Sequence, residues 1–317
     1  MLNNELKHWL AFTAYTLGVG EEFIEKDWQV TRAIQIVSEL VLPDFQLVFA
    51  GGTCLAKSHR IVNRMSEDVD FKITLREGNV HLSTSLLRKK LSELRQQVQT
   101  ALMAAGFECG PECIRARNNN HYIVVDLPYY PLLPTQQYLR STIQIELTLA
   151  TLQLPIEYLP VQTLIADVVG EKPELPKAKV ATIALNETAA EKWVALTRRL
   201  AMHDRGHLRL DKTLVRHLYD LHQIFISGKL TAQFPSLIKE IIATDQTQFK
   251  NQYPEYVKDP VTEIKRSLQL LAHDMELRDD WQAFVSAMVI AKPIPRYEEA
   301  LQSFGVLSQP ILEILHY

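Results

Sequence analysis

At 317 residues, with 47% hydrophobic and 22% charged residues, the chain exceeds one typical core, so two packed domains are expected; no stretch approaches the roughly 20 apolar residues that span a bilayer. A formal net charge of −3 excludes a protein coated in basic surface, although a local nucleic-acid-binding patch depends on where charge is placed. Three cysteines are too few and too odd in number for a disulfide framework, and the first turns carry Glu5, Lys7 and His8 in place of a secretory signal, so a reducing, cytoplasmic setting is expected.

Residues 4 to 41 carry apolar positions at helical spacing, notably Ile24, Trp28, Ile34 and Val37, interrupted at Gly18-Val19-Gly20 and stopped by Pro43, which predicts two helices. Phe45 to Ala50 is a short apolar run of strand formers. Gly51-Gly52 follows it, and then Thr53, placed to cap a helix through Lys57 and Ser58. In the next run Val69, Phe71 and Ile73 alternate with Asp68, Asp70 and Lys72, so a strand would bury the first set and put both aspartates on its other face. Residues 82 to 105 read as a helix; His121 to Leu127 and Thr142 to Leu149 read as strands separated by a turn with Pro128, Pro131 and Pro134. Ile143, Ile145 and Leu147 leave Glu146 on the opposite face, free to meet the aspartates. Prolines at 155, 160, 173 and 176 mark a connecting region after which strand signals nearly vanish. Residues 187 to 226, 235 to 243, 260 to 276 and 279 to 290 read as helices, with breaks at Gly206 and Gly228 and before Pro260. The expected domains are therefore 1–160, an α/β (α+β) unit that includes the N-terminal helices, and 161–317, all helical.

Two carboxylates at i and i+2 on a strand, with a third on a neighbouring strand, are what a pair of hard divalent cations needs when phosphate chemistry concentrates negative charge on oxygen. Asp68, Asp70 and Glu146 are the candidate ligands, for Mg²⁺ or for Mn²⁺ in its place. Backbone amides at Gly52 and Thr53, at the start of a helix, offer a triphosphate uncharged donors and a favourable dipole. Asp-x-Asp and Gly-Gly-Thr are each common alone; their order, strand, glycine turn, helix, acidic strand, later acidic strand, is what points to a site.

Phe49-Ala50-Gly51-Gly52-Thr53-Cys54-Leu55 followed by Arg64-Met65-Ser66-Glu67-Asp68-Val69-Asp70-Phe71 resembles the signature of the AbiEii/AbiGii toxin family, within the polymerase-β-like nucleotidyltransferases. Further resemblance lies in Glu25 to Thr31, in Glu191-Lys192-Trp193 through Arg199, and in Arg216-His217-Leu218-Tyr219-Asp220-Leu221, so that it spans roughly residues 22 to 225. It implies a toxin of a type IV toxin-antitoxin or abortive-infection (antiviral defence) pair, with an antitoxin encoded nearby and transfer of a nucleotide from an NTP to an RNA 3′-hydroxyl, that of tRNA, with release of pyrophosphate. Nucleotidylation of a protein or small molecule, or inhibition by nucleotide or RNA binding without catalysis, stay open as alternatives. By position the resemblance makes Asp68 and Asp70 metal ligands. It implies a polymerase-β-like core with a mixed sheet flanked by helices, and has Gly52 and Thr53 contact phosphate, Lys192 contact the triphosphate, and Asp220 supply the carboxylate of the last motif. Gly51, Ser66 and Arg64 are further candidates for nucleotide binding. His217 departs from the family pattern, standing where the first acid of that motif is usual.

Between 192 and 216, basic residues at 192, 198, 199, 205, 209, 212 and 216 face only Asp204 and Asp211, and Lys192 and Arg199 are two helical turns apart, which reads as a phosphate-facing stripe or as a solvated helix face. Arg64 would neutralise phosphate or pair with Glu67. Cys109-x-x-x-Cys113 has no second pair for zinc and His203 with His207 suits a loop better than a metal, so neither is assigned. Trp28 and Trp193 fall in amphipathic patterns and are expected to pack.

Overall fold

The computed structural model describes residues 2–76, 82–133, 139–290 and 292–315; Pro134 of the expected turn lies outside them. The chain divides into two compact units, one of residues 1–60 and 65–183, the other of 61–64 and 184–317.

The first unit runs α1 (Leu2–Leu17), α2 (Glu21–Ser38), β1 (Phe45–Ala50), α3 (Gly51–Lys57), β2 (Asp68–Leu75), α4 (Thr84–Ala104), β3 (Ile114–Arg117), β4 (Tyr122–Pro128), β5 (Thr142–Leu149), β6 (Glu157–Gln162), α5 (Leu164–Val169) and β7 (Lys177–Thr182). The strands form one mixed sheet in the order β3-β4-β5-β2-β1-β7-β6, with β2 antiparallel to β1 and parallel to β5. Alternate residues of β2 and β5 are sealed: Val69, Phe71 and Ile73, like Ile143, Ile145 and Leu147, join the core with Val30, Ile34 and Val37 of α2. Helix α4 adds Leu91, Leu94, Val98 and Leu102, spaced three and four apart so that one stripe packs, and Ser83 caps it by accepting from the Leu86 amide. Burying each of those side chains stabilises the unit by roughly 2 kcal/mol.

The expected boundary near 160 falls inside this sheet. β6 and β7 pair antiparallel from Glu157↔Thr182 to Gln162↔Lys177, β7 lies parallel to β1, and the first unit ends at Ile183. β6 is an edge strand, where Pro160 forfeits no inner ladder bond; this is why the prolines did not mark a break.

The second unit is helical: α6 (Leu185–Asp204), α7 (Val215–Ile226), α8 (Phe234–Phe249), α9 (Pro254–Lys258), α10 (Pro260–His273), α11 (Met275–Met288) and α12 (Tyr297–Leu315). The expected break at Gly206 separates two helices: α6 ends at Asp204 and Gly206 takes φ +76 before the chain resumes in α7. Helix α6 is buried on most sides. Trp193 is fully sealed, donates from Nε1 to Ser308 Oγ at 3.0 Å and stacks on Phe304, a packing residue as its pattern predicts. The segment 61–64 belongs to this unit, with Asn63 accepting from the Ile290 amide and Arg64 bridging to Val289.

Candidate active site

In the first unit, register places the acids. Asp70 is the Cα partner of Glu146, and Asp68 that of Gln144, in the parallel β2–β5 ladder, so all four side chains lie on the face of the sheet opposite the core. β4 adds Tyr122 to this face, pairing with Thr148 two residues beyond Glu146. The Tyr122 hydroxyl is hydrogen-bonded to Glu146; burial, that bond and the charges of Glu146 and Asp70 push the phenol well above its usual range. Gln144 Nε2 donates to Glu146 Oε1 at 2.7 Å, so this carboxylate is held from two sides.

The glycine turn is built around Asp70. Gly51 takes φ +75, and a Cβ there would stand 1.8 Å from Asp70 Oδ2, so both the backbone angle and the space demand glycine. Helix α3 begins at Gly51 with Ala50 as its N-cap, not at Thr53. The Thr53 hydroxyl instead donates to the Asp68 carbonyl, tying the helix to the first residue of the acidic strand. Ser66 is half-buried in the loop before β2.

The stretch Glu25-Lys26-Asp27, known from the sequence only by resemblance, anchors this face from α2. All three side chains are buried, and each holds a different segment. Glu25 accepts from the Leu132 and Leu133 amides. Lys26 Nζ donates to the carbonyls of Arg140 and Thr142 at 2.6 and 2.7 Å and lies 3.6 Å from Glu67. Burial draws the Lys26 ammonium down to about 8, with Glu67 opposing. Asp27 pairs with Lys57 at the end of α3 at 2.6 Å and accepts from the Leu164 amide, fixing α3 and α5.

Among the described residues no three His, Cys, Asp or Glu side chains are gathered as a metal cluster, so the three carboxylates share a face without closing on one point. Arg140 accounts for this in part: its Nη2 stands 2.7 Å from Asp68 Oδ1, an oxygen sealed from solvent that has no directed hydrogen bond. An all-oxygen donor set, with one oxygen sealed and the Asp70 carboxylate lodged in the space that Gly51 leaves, fits a hard divalent cation.

In the second unit a different group of expected residues comes together. Asp220 is fully buried and accepts from Arg64 Nε and Nη2, both at 2.7 Å, while Lys192 Nζ stands 2.9 Å away. Burial alone would raise the Asp220 carboxyl, but Arg64 and then Lys192 overcome it and hold it well below the carboxylate range. Arg64 thus engages Asp220, while Glu67 meets Lys26 and Arg140. His217, one helical turn before Asp220, has its Nδ1 sealed although the residue keeps partial exposure. Burial, then Lys192, lower its pKa to about 3, and it is neutral at pH 7.

The expected phosphate-facing stripe is neutralised within this unit: Arg198 pairs with Asp245, Arg199 with Asp211, Arg205 with Glu263 and Lys212 with Asp280. Acids 47 to 68 residues away in sequence supply much of that balance, which a local charge count omits. His203 Nδ1 meets the Leu208 carbonyl and His207 Nε2 meets Glu255. Cys54, Cys109 and Cys113 form no disulfide with one another, and Trp28 stands beside the Arg32 guanidinium.

Residues 38–303 match the model of a family described as nucleotidyl transferase AbiEii toxin, Type IV TA system. The chain belongs to the AbiEii nucleotidyltransferase toxin family. This AbiEii protein is also similar in structure to MenT4, a nucleotidyltransferase toxin from Mycobacterium tuberculosis H37Rv, with a TM-score of 0.58 at 18% identity over 95% of this chain and 89% of that one; the likeness carries the fold. No curated protein matches it. Among the described residues no helix is long and apolar enough to cross a membrane.

The AbiEii protein is therefore a nucleotidyltransferase, and the Gly51 turn with the β2–β5 acids is its candidate active site. Tyr122, Gln144, Lys26 and Arg140 were not read from the sequence. Period-two alternation within 122–128 puts Tyr122 on an outward face, but only strand order carries it to Glu146.

Proposed function

We propose that this AbiEii-family enzyme transfers the nucleotidyl group of an NTP to the 3′-hydroxyl of an RNA, with tRNA as acceptor and pyrophosphate as the leaving group. The observation that carries the reading is the register: Asp68, Asp70 and Glu146 share one exposed face beside the strand–Gly51-Gly52-Thr53–helix turn. Asp68, Asp70 and Glu146 would hold Mg²⁺, or Mn²⁺ in its place; bound there, two such cations supply charge neutralisation to the attacking and leaving oxygens. Glu146, oriented by Tyr122 and Gln144, accepts the proton of the acceptor hydroxyl. Gly51, Gly52, Thr53 and Ser66 are assigned to nucleotide binding. Lys192 and Asp220 are assigned by resemblance as required for the same reaction, and Arg64 is assigned with them to nucleotide binding. The family supports a cognate antitoxin as partner, and the cytoplasm is the proposed site of action.

Purified protein incubated with total RNA, Mg²⁺ and each labelled NTP in turn should label RNA at its 3′ end, and Asp70→Ala should lower that labelling at least a hundredfold. Labelling that survives the substitution removes the β2 acids from the reaction. Label on protein or metabolite with RNA left unlabelled removes the RNA acceptor and keeps the enzyme.

A further inference from the structure

Arg140 combines a fixed backbone with a loose head. Its amide donates to Glu67 Oε1 at 2.8 Å and its carbonyl accepts from Lys26 Nζ, whose side chain is completely buried. Its side chain, by contrast, is 44% exposed. That head spans the acids: Nη2 stands 2.7 Å from Asp68 Oδ1, Nε 3.7 Å from Glu67 Oε2, and Nη1 donates to Gln144 Oε1 at 3.0 Å. Gln144 passes the connection on to Glu146 through its own 2.7 Å bond. One cationic side chain thus reaches two of the three candidate ligand carboxylates, directly or through one amide.

Moving the anchor means breaking a buried ion pair and two backbone bonds; releasing the partly exposed head gives up its pair with Asp68, a longer one with Glu67 and a hydrogen bond to Gln144, and leaves the buried anchor intact. A divalent cation at Asp68 would compete with the guanidinium for the same carboxylate. The freed fork is planar, permanently charged and suited to bidentate contact with phosphate, and its tether keeps it beside the acidic face.

We propose that Arg140 is a triphosphate-binding residue that occupies Asp68 while nucleotide is absent, and exchanges that carboxylate for the polyphosphate when nucleotide and its metal bind. This rests on the proposed nucleotidyl-transfer reading of the same face. Metal alone pays for the displacement, whereas metal with nucleotide recovers it in a new guanidinium–phosphate contact, so the two ligands bind with positive coupling, reciprocal between them.

The test is Mn²⁺ binding to the full chain, followed by electron paramagnetic resonance, with and without a non-hydrolysable NTP analogue. Wild type, Arg140→Gln, Arg140→Lys and Asp70→Ala are compared, each with its fold checked by circular dichroism. In Arg140→Gln, Mn²⁺ alone should bind about three- to fivefold tighter. The analogue should bind about tenfold weaker, and the coupling should shrink accordingly. Arg140→Lys should restore the weaker Mn²⁺ binding and only part of the nucleotide affinity, since it keeps the charge and loses the fork. Mn²⁺ binding that depends on Asp70 but is unchanged or weakened in Arg140→Gln overturns the exchange and leaves the metal site standing. Absence of Asp70-dependent Mn²⁺ binding in every variant overturns the metal reading and the exchange with it.

Discussion

Asp220→Asn is the substitution whose cost the structure defines most sharply. The carboxylate has no exposed surface, and three donor atoms on Arg64 and Lys192 converge on it within 2.9 Å. Asparagine keeps the shape but offers one acceptor, and its NH₂ points a donor at a cation. Two buried positive charges then face each other uncompensated, a loss of about 3 to 5 kcal/mol. That is a large share of the roughly 5–15 kcal/mol that holds a domain together, and at roughly 3 °C per kcal/mol it lowers the unfolding midpoint by about 10 to 15 °C. Hydrogen exchange with mass spectrometry locates the effect: amides of α6 and α7 should exchange roughly two to three orders of magnitude faster than in wild type. Unchanged protection there, or a midpoint shift under about 3 °C, would mean that water reaches Arg64 and Lys192 freely and would refute the sealed triad.

Gly51→Ala is expected to cost about 1–3 kcal/mol from the left-handed backbone angle and to displace Asp70, so RNA labelling should fall at least tenfold while circular dichroism stays native. The pH dependence of stability should carry the mark of His217. Its folded pKa of about 3 lies below the unfolded 6.5, so the unfolded chain binds the extra proton between those values. This contribution is complete above pH 6.5 and is lost as pH falls, by at most about 1.4 kcal/mol per pH unit, the partial exposure of the ring reducing it. Asp220, also depressed, acts in the same sense but only below about pH 4. Denaturation midpoints between pH 7 and 4.5 should therefore decline in wild type and decline less in His217→Gln; equal slopes would assign the loss to other groups.

Local periodicity made the central sheet legible and left its edges hidden. β2 and β5 alternate sealed and outward residues over their whole length, and the helical stripe of α4 is equally regular, so each could be read without a partner. β3 is four residues, Ile-Arg-Ala-Arg, and β6 contains Pro160 and buries only Val161; edge strands bury too little to write a pattern. The site divides in the same way. Asp68, Asp70 and Glu146 announce themselves because an acid interrupts an apolar alternation. The groups that position them come from 114 residues away, as Lys26 does for Arg140, or from a neighbouring strand, as Tyr122 does for Glu146. No local rule links such positions, and Lys26 in particular reads as an ordinary helix lysine until its buried partners are seen.

The buried Arg64–Asp220–Lys192 cluster poses a question that the loss of one partner cannot answer, since any single removal destabilises. A sealed ion cluster is seldom the best way to fill a core, because apolar side chains of similar volume avoid the desolvation cost altogether. The variant Arg64→Met, Lys192→Met, Asp220→Leu removes all three charges together. If the cluster exists only to hold the helices, nothing is lost by the exchange except specificity, and labelling of RNA should persist at the wild-type rate. If the charges are there for the reaction, the triple variant should be as stable as wild type or up to about 4 kcal/mol more so, yet inactive. We expect the second result. Near-normal stability with full activity would assign the cluster to folding alone, and it would strip Lys192 and Asp220 of the catalytic role that their resemblance to the family motifs gives them.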